Sequence, residues 1–213
     1  MTTTKVNHKK VGDHVSEQYF THNPQIKSDR KTWAFMLKGH RFTFTSDTGV
    51  FSKNEVDFGS RTLIDAFEAP EIEGDYLDLG CGYGPIGLSL AKADRTRVCH
   101  LVDVNERAIA LAKENARVNQ VDNVKIYSSD RFENVNQAFA AILTNPPIRA
   151  GKQTVHLMLE ESFDHLLPGG TLWVVIQKKQ GAPSAMKKLE EFSQEVEVVL
   201  KNKGYYILRA VKK

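Results

Sequence analysis

Apolar and polar positions along the chain fall into two regimes, divided near residue 76. Beyond it, short β-type runs alternate with stretches whose apolar residues recur at helical spacing. Residues 76–79, 98–103, 124–127, 140–144 and 172–176 read as strands. Residues 85–93, 105–119, 154–167 and 183–192 read as helices. Pro85 suits a first helical turn, Asn105 suits an N-cap, and Pro168-Gly169-Gly170 reads as a stop. Strict alternation predicts an α/β fold, with helices on both faces of a largely parallel sheet in a Rossmann-like three-layer sandwich. The tail breaks the alternation. Residues 196–200 and 205–211 are two β-rich runs around Lys201-Asn202-Lys203-Gly204, so the sheet is expected to close with an antiparallel hairpin and to be mixed.

Upstream of residue 76 the pattern is different. Residues 1–30 are polar and mixed, and part of them is expected to be loosely ordered. Residues 33–37 and 41–45 flank Lys38-Gly39-His40, and Phe42 and Phe44 alternate with polar residues, which signals a β-hairpin. Residues 60–67 read as a short amphipathic helix with Ser60 as N-cap. The chain is therefore read as one domain over 1–213, an N-terminal extension with a hairpin (1–59) followed by a cofactor-binding and catalytic core (60–213).

Composition changes this picture little. With 41% hydrophobic and 26% charged residues the chain is ordinary for a globular protein. It has no apolar run near the roughly 18–20 residues that span a bilayer, and residues 1–10 carry no apolar signal core. A cytoplasmic protein without membrane contact is expected. The two cysteines and seven histidines show no ligand spacing, so neither a metal nor a disulfide framework is expected. A net charge of +3 permits a polyanionic partner without requiring one, and oligomeric state is left open.

The candidate chemistry begins at Asp78-Leu79-Gly80-Cys81-Gly82-Tyr83-Gly84, between a strand and its helix. Ligands of open α/β sheets bind beyond strand carboxyl ends, and glycines there let a ligand approach the backbone. Gly82-Tyr83-Gly84-Pro85-Ile86-Gly87 also fits the dinucleotide fingerprint, with Asp103 placed 21 residues after Gly82. Against a dinucleotide stand Asp78, whose carboxylate disfavours a pyrophosphate but favours a cationic ligand, and the closing hairpin. A methyl donor bearing an ammonium and a sulfonium fits better, and an NAD enzyme is the rival. Asp103 suits two ribose hydroxyls or, alternatively, a helix cap. Asp130 suits the adenine amino group or is an ordinary loop residue.

Asn145-Pro146-Pro147-Ile148 follows the fourth parallel strand. Two prolines fix the backbone and remove two donors. The Pro146 carbonyl and the Asn145 side-chain oxygen are then two acceptors that can converge on an NH₂ group. An amine donating both hydrogens there directs its lone pair away from them, so catalysis would rest on placement and electrostatics rather than on a strong base.

These residues resemble the class I S-adenosylmethionine-dependent methyltransferases. Gly49-Val50-Phe51-Ser52-Lys53 and Asp57-Phe58-Gly59-Ser60 narrow the resemblance to the small-methyltransferase-domain family of ribosomal RNA guanine-N2 enzymes, the RsmC-like group, and Asn145 to Lys152 looks like its short bacterial members. The resemblance, from about residue 19 onward, implies a seven-stranded sheet with an antiparallel last strand. It implies S-adenosylmethionine held by Asp78, Gly80, Cys81, Gly82, Gly84, Asp103, Asp130 and Asn145. Asn145, Pro146, Pro147 and Ile148 would act on the amine, with Arg149, Lys152 and Phe58 meeting the substrate. Guanine N2 in small-subunit ribosomal RNA is the implied acceptor, and a protein glutamine amide is the alternative. Longer members carry a duplicated N-terminal domain, absent from this sequence. Many relatives have Tyr or Phe after the second proline, where this chain has Ile148, so Phe51, Phe58 or Phe132 is expected to provide stacking.

Overall fold

The structure, a computed structural model, describes residues 27–50, 52 and 55–213. The expected loose order of residues 1–30 lies, up to residue 26, outside the described residues, as do Phe51 and Lys53 of the upstream motif.

Among the described residues, nine strands and five α-helices follow one another as β1 (Lys31–Leu37), β2 (His40–Ser46), α1 (Phe58–Ala66), β3 (Tyr76–Leu79), α2 (Pro85–Ala93), β4 (Cys99–Asp103), α3 (Glu106–Val118), β5 (Val124–Ser128), β6 (Phe139–Thr144), α4 (Lys152–Asp164), β7 (Leu166–Gln177), α5 (Ala182–Glu190), β8 (Glu195–Asn202) and β9 (Tyr205–Val211). Strands β3 to β9 form a seven-stranded sheet in the order β5-β4-β3-β6-β7-β9-β8. The pairs from β5 through β7 are parallel, and β9 runs antiparallel to both β7 and β8. The expected α/β fold, the mixed sheet with its C-terminal hairpin and the N-terminal hairpin are all present.

Side-chain alternation sorts the sheet's two faces. Tyr76, Ala141, Leu143, Trp173 and Val175 join a core with α1, α2 and α3, while Leu77, Leu79, Ile142, Leu172 and Val174 join a second core with α4 and α5. Adjacent positions on one strand thus serve opposite layers, as three layers require.

The hairpin β1-β2 rests on the first of these cores. Phe42 and Phe44 are fully buried, and Asn115 of α3 and Asn119, its C-cap, grip the free edge of β2. Asn119 accepts from the Thr43 N–H at 2.7 Å and donates to the Thr43 carbonyl at 2.8 Å. Asn115 repeats this at Thr45, at 2.8 and 2.9 Å. Residues four apart on a helix share one face, and their rise of about 6 Å comes close to that of two strand residues. Two amides therefore act as a surrogate neighbouring strand.

Two expected boundaries shift. The helix expected at 60–67 begins at Phe58, and its N-cap is Asp57, whose carboxylate accepts from the Ser60 N–H at 3.0 Å. Asp57 and Ser60 are both capping residue types, and the extra turn buries Gly59 and Ser60. The helix expected at 154–167 instead spans Lys152–Asp164, and Pro168-Gly169-Gly170 lies inside β7. There the register against β6 jumps from Phe139↔Leu166 to Ala141↔Thr171, so the glycines bulge the strand rather than precede it.

Candidate active site

Strand β3 is flanked by β4 on one side and β6 on the other, so chain connections leave it in opposite directions at the switch point where α/β ligands bind. The loops after β3, β4, β5 and β6 converge there around a cleft of about 760 Å³. Its walls include Gly80, Cys81 and Gly82 after β3, Asp103 at the end of β4, Asp130 after β5, and Asn145, Pro146, Pro147, Ile148 and Arg149 after β6. Thr144 donates its hydroxyl to the Leu79 carbonyl at 2.9 Å, fastening the glycine turn to the strand that carries Asn145.

The glycine turn is held from several directions. The Gly80 and Cys81 N–H groups both donate to the Val102 carbonyl at 2.9 Å, and Asp103 accepts from Gly82 N–H with one oxygen and from Asn105 N–H with the other, each at 2.9 Å. A Cβ on Gly82, whose φ is +56°, would meet only open space. A Cβ on Gly87 would lie 2.5 Å from Leu101, so the third glycine of the fingerprint serves close packing of α2 on β4. Tyr83 is buried, edge-on to Trp33 and Phe44 of the hairpin, and its carbonyl accepts from Asn115. The hairpin thereby braces the turn.

Asp78 lies beneath this turn rather than on the cleft wall and is 1% exposed. One oxygen accepts from Gly87 N–H at 2.8 Å, and the other has no partner among the described residues. Burial, only partly offset by that bond and reinforced by Asp103, pushes its pKa up to about 7. Asp103 is also raised, by burial acting against its backbone donors. Burial raises the Cys81 thiol well above its ordinary value, so the sulfur stays protonated and is no nucleophile.

Asn145 is half-buried. Its amide nitrogen donates to Asp57 Oδ1 at 3.2 Å and to Ser60 Oγ at 3.1 Å, both at the start of α1. A carboxylate only accepts, so the NH₂ must face Asp57. The amide oxygen is left with no partner among the described residues. The Pro146 carbonyl likewise takes up no donor among them, whereas that of Pro147 accepts from Ala150 at 2.9 Å. Sequence reasoning missed the clamp, although Asp57-Phe58-Gly59-Ser60 was in view. The pairing spans 88 residues, and nothing local signals it.

The remaining candidates separate. Arg149 lines the cleft, while Lys152 lines a smaller cavity of about 110 Å³ that shares Ile148 and Gln180 with it. Phe58 packs against Tyr205 with ring centres 5.6 Å apart, and it is Tyr205 that reaches the cleft wall. Phe132, expected as a stacking residue, is instead 7% exposed, stacked on His165 and part of the second core, because the turn that follows β5 packs it inward. Phe51 is outside the described residues.

Residues 41–209 match the family described as the methyltransferase small domain. The chain belongs to the methyltransferase small-domain family. Membership decides between the methyl-donor and dinucleotide readings of the glycine fingerprint. This small-domain chain is 62% identical over 200 residues to the uncharacterized protein YbxB of Bacillus subtilis, covering 93% of this chain and all of that one. It is 36% identical over 149 residues to ribosomal RNA small subunit methyltransferase C of Vibrio cholerae, covering 68% of this chain but only 43% of the relative. In fold it is similar to T. thermophilus 16S rRNA N2 methyltransferase RsmC, solved in complex with AdoMet and guanosine. The TM-score is 0.78 at 24% identity, over 89% of this chain and 52% of that one. The family assignment carries S-adenosylmethionine as the cofactor. The residues present fit such a group: a cleft of adequate volume, an unobstructed Gly82, and the Asp103 and Asp130 carboxylates on its wall.

Proposed function

We propose that this methyltransferase transfers a methyl group to the exocyclic N2 amine of a guanine in small-subunit ribosomal RNA. The observation that carries the reading is the clamp on Asn145, which turns its amide oxygen away from Asp57 and leaves it, with the Pro146 carbonyl, as an acceptor for an amine. The bound cofactor supplies an electrophilic methyl group on a sulfonium. Gly80, Cys81 and Gly82 would line its seat, Asp103 would accept ribose hydroxyls with lone pairs its backbone donors leave over, and Asp130 would accept from the adenine amine. Asn145 Oδ1 and the Pro146 carbonyl accept the two N–H bonds of the acceptor, which directs its lone pair outward. Methyl transfer from that sulfonium would leave a surplus N–H proton on the amine, which Asn145 Oδ1 and the Pro146 carbonyl would hold until water removes it. No general base is required. Ile148 contributes apolar contact, and Tyr205 offers the π-face that Ile148 lacks.

The relatives named as ribosomal RNA methyltransferases support the substrate class. Incubation with radiolabelled donor, small-subunit RNA from cells lacking the protein, and total protein from the same cells tests it. N2-methylguanosine in the nucleoside digest is the expected product. Label in glutamine side chains, with none in RNA, overturns the reading.

A further inference from the structure

Three stretches, residues 145–153, 177–181 and 201–205, each contribute residues to the cleft wall. They hold Arg149, Lys152, Lys178, Lys179, Lys201 and Lys203 and no aspartate or glutamate. The whole chain has a net charge of +3, so these six cations exceed it and the remainder is net negative. The stretches are physically joined. Lys178 N–H donates to the Gly204 carbonyl at 2.8 Å, and Arg149, Gln177, Gln180 and Tyr205 line one cleft. All six cationic residues are exposed.

Among the described residues none of the six is ion-paired. By contrast, Arg131, Lys188 and Arg209 reach carboxylates at 2.8, 2.9 and 2.6 Å. Lys201 and Lys203 instead sit over the rings of Tyr206 and Phe58, each 5.0 Å from the centroid. Like charges gathered without acids repel one another, and a polyanion lying along them relieves that repulsion while releasing its counterions. The acids that line the cleft, Asp57, Asp103 and Asp130, lie outside the three stretches, and Asp130 pairs with Arg131 at 3.4 Å.

We propose that this rim is the track for the single-stranded RNA flanking the target nucleotide. Lys178, Lys179, Lys201 and Lys203 contact phosphates, and Tyr205 stands at the inner edge, where the base leaves the strand. This rests on the RNA-acceptor reading above. A cationic rim interleaved with an aromatic residue is the arrangement that holds single strands without reading their sequence.

The test is a quadruple variant, Lys178→Ala, Lys179→Ala, Lys201→Ala and Lys203→Ala, with binding of a fluorescein-labelled single-stranded oligoribonucleotide measured across a salt series. Each lost phosphate contact removes about 0.7 from the slope of log K against log salt, so the slope should become shallower by roughly 2–3. Affinity near 0.1 M salt should drop about 10- to 100-fold. S-adenosylhomocysteine affinity should stay within about 2-fold, showing that the cleft is intact, and replacement by Arg at the four positions should restore the slope. An unchanged slope and affinity in a variant that still methylates RNA would overturn the rim and leave the acceptor reading standing. Salt-dependent binding lost in the variant, from a wild type that methylates no RNA, would uphold the rim and sink the acceptor reading. Displacement of the RNA by polyglutamate at equal charge concentration would overturn the assignment to RNA.

Discussion

At Asn145 a single side chain carries the proposed chemistry, and its neighbours decide which end of the amide faces the cleft. Asn145→Ala should lower kcat about 100- to 1,000-fold, the range seen when one preorganised hydrogen-bonding group is removed, with donor affinity nearly unchanged. Ser60→Ala removes one of the two acceptors of the amide NH₂ but spares the Asp57 cap. It should lower kcat about 3- to 10-fold at unchanged Tm, a split that a helix-destabilising change would not produce. Asp78 makes a separate prediction. Its folded pKa of about 7 lies above the ordinary 3.8, so the folded state binds a proton that the unfolded state has released in the window between. Stability therefore falls as pH rises through that window. In Asp78→Asn the amide oxygen can still accept from Gly87, and the ionisation cost is gone. Urea unfolding should show the variant's advantage growing by about 2–3 kcal/mol from pH 5 to pH 8. A constant difference across pH would mean that Asp78 is not the titrating group.

Among the elements, the helix α3 does more than its sequence pattern suggests. Its apolar stripe was legible, as was the Asn105 cap, because both signals are local. Asn115 and Asn119 hold β2, a role their sequence does not display, since spacing of four residues looks the same whether it faces water or a strand edge. The same limit hid the Asn145 clamp and the contact of Tyr205 with Phe58, which join residues 85 or more positions apart in sequence. The parallel strands and the glycine turn were legible for the opposite reason: periodicity and loop chemistry are written within a few residues. Pro168-Gly169-Gly170 misled because a bulge and a loop draw on the same residue types. Asn119→Ala should expose the Thr43 amide to faster hydrogen exchange and cost about 1–2 kcal/mol. Asn115→Ala should do the same at Thr45 and also release the Tyr83 carbonyl, so it alone should weaken S-adenosylhomocysteine binding, about 3- to 10-fold. Equal donor affinity in the two variants would show that the hairpin does not brace the turn.

For the whole molecule, the cleft lies where both cores meet. Leu79 on its wall belongs to the core shared with α4 and α5, whereas Cys81, Tyr83 and Ile86 belong to the one shared with α1 to α3. A ligand seated there touches the loops after four strands at once, and each of those loops is continuous with the sheet. Local loosening of the site is therefore coupled to unfolding of the sheet as a unit, and ligand binding should appear as global stabilisation rather than as ordering of one loop. At a concentration 100 times its Kd, a ligand specific to the folded state adds about 2.7 kcal/mol. For a chain of 213 residues each kcal/mol moves Tm by roughly 2–4 °C, so S-adenosylhomocysteine should raise Tm by about 5–11 °C. NADH at the same concentration should leave Tm unmoved, since the family to which the chain belongs takes S-adenosylmethionine at this turn. Differential scanning fluorimetry reads both arms. Stabilisation by NADH but not by S-adenosylhomocysteine would contradict the assignment of the glycine turn, and with it the proposed roles of Asp103 and Asn145.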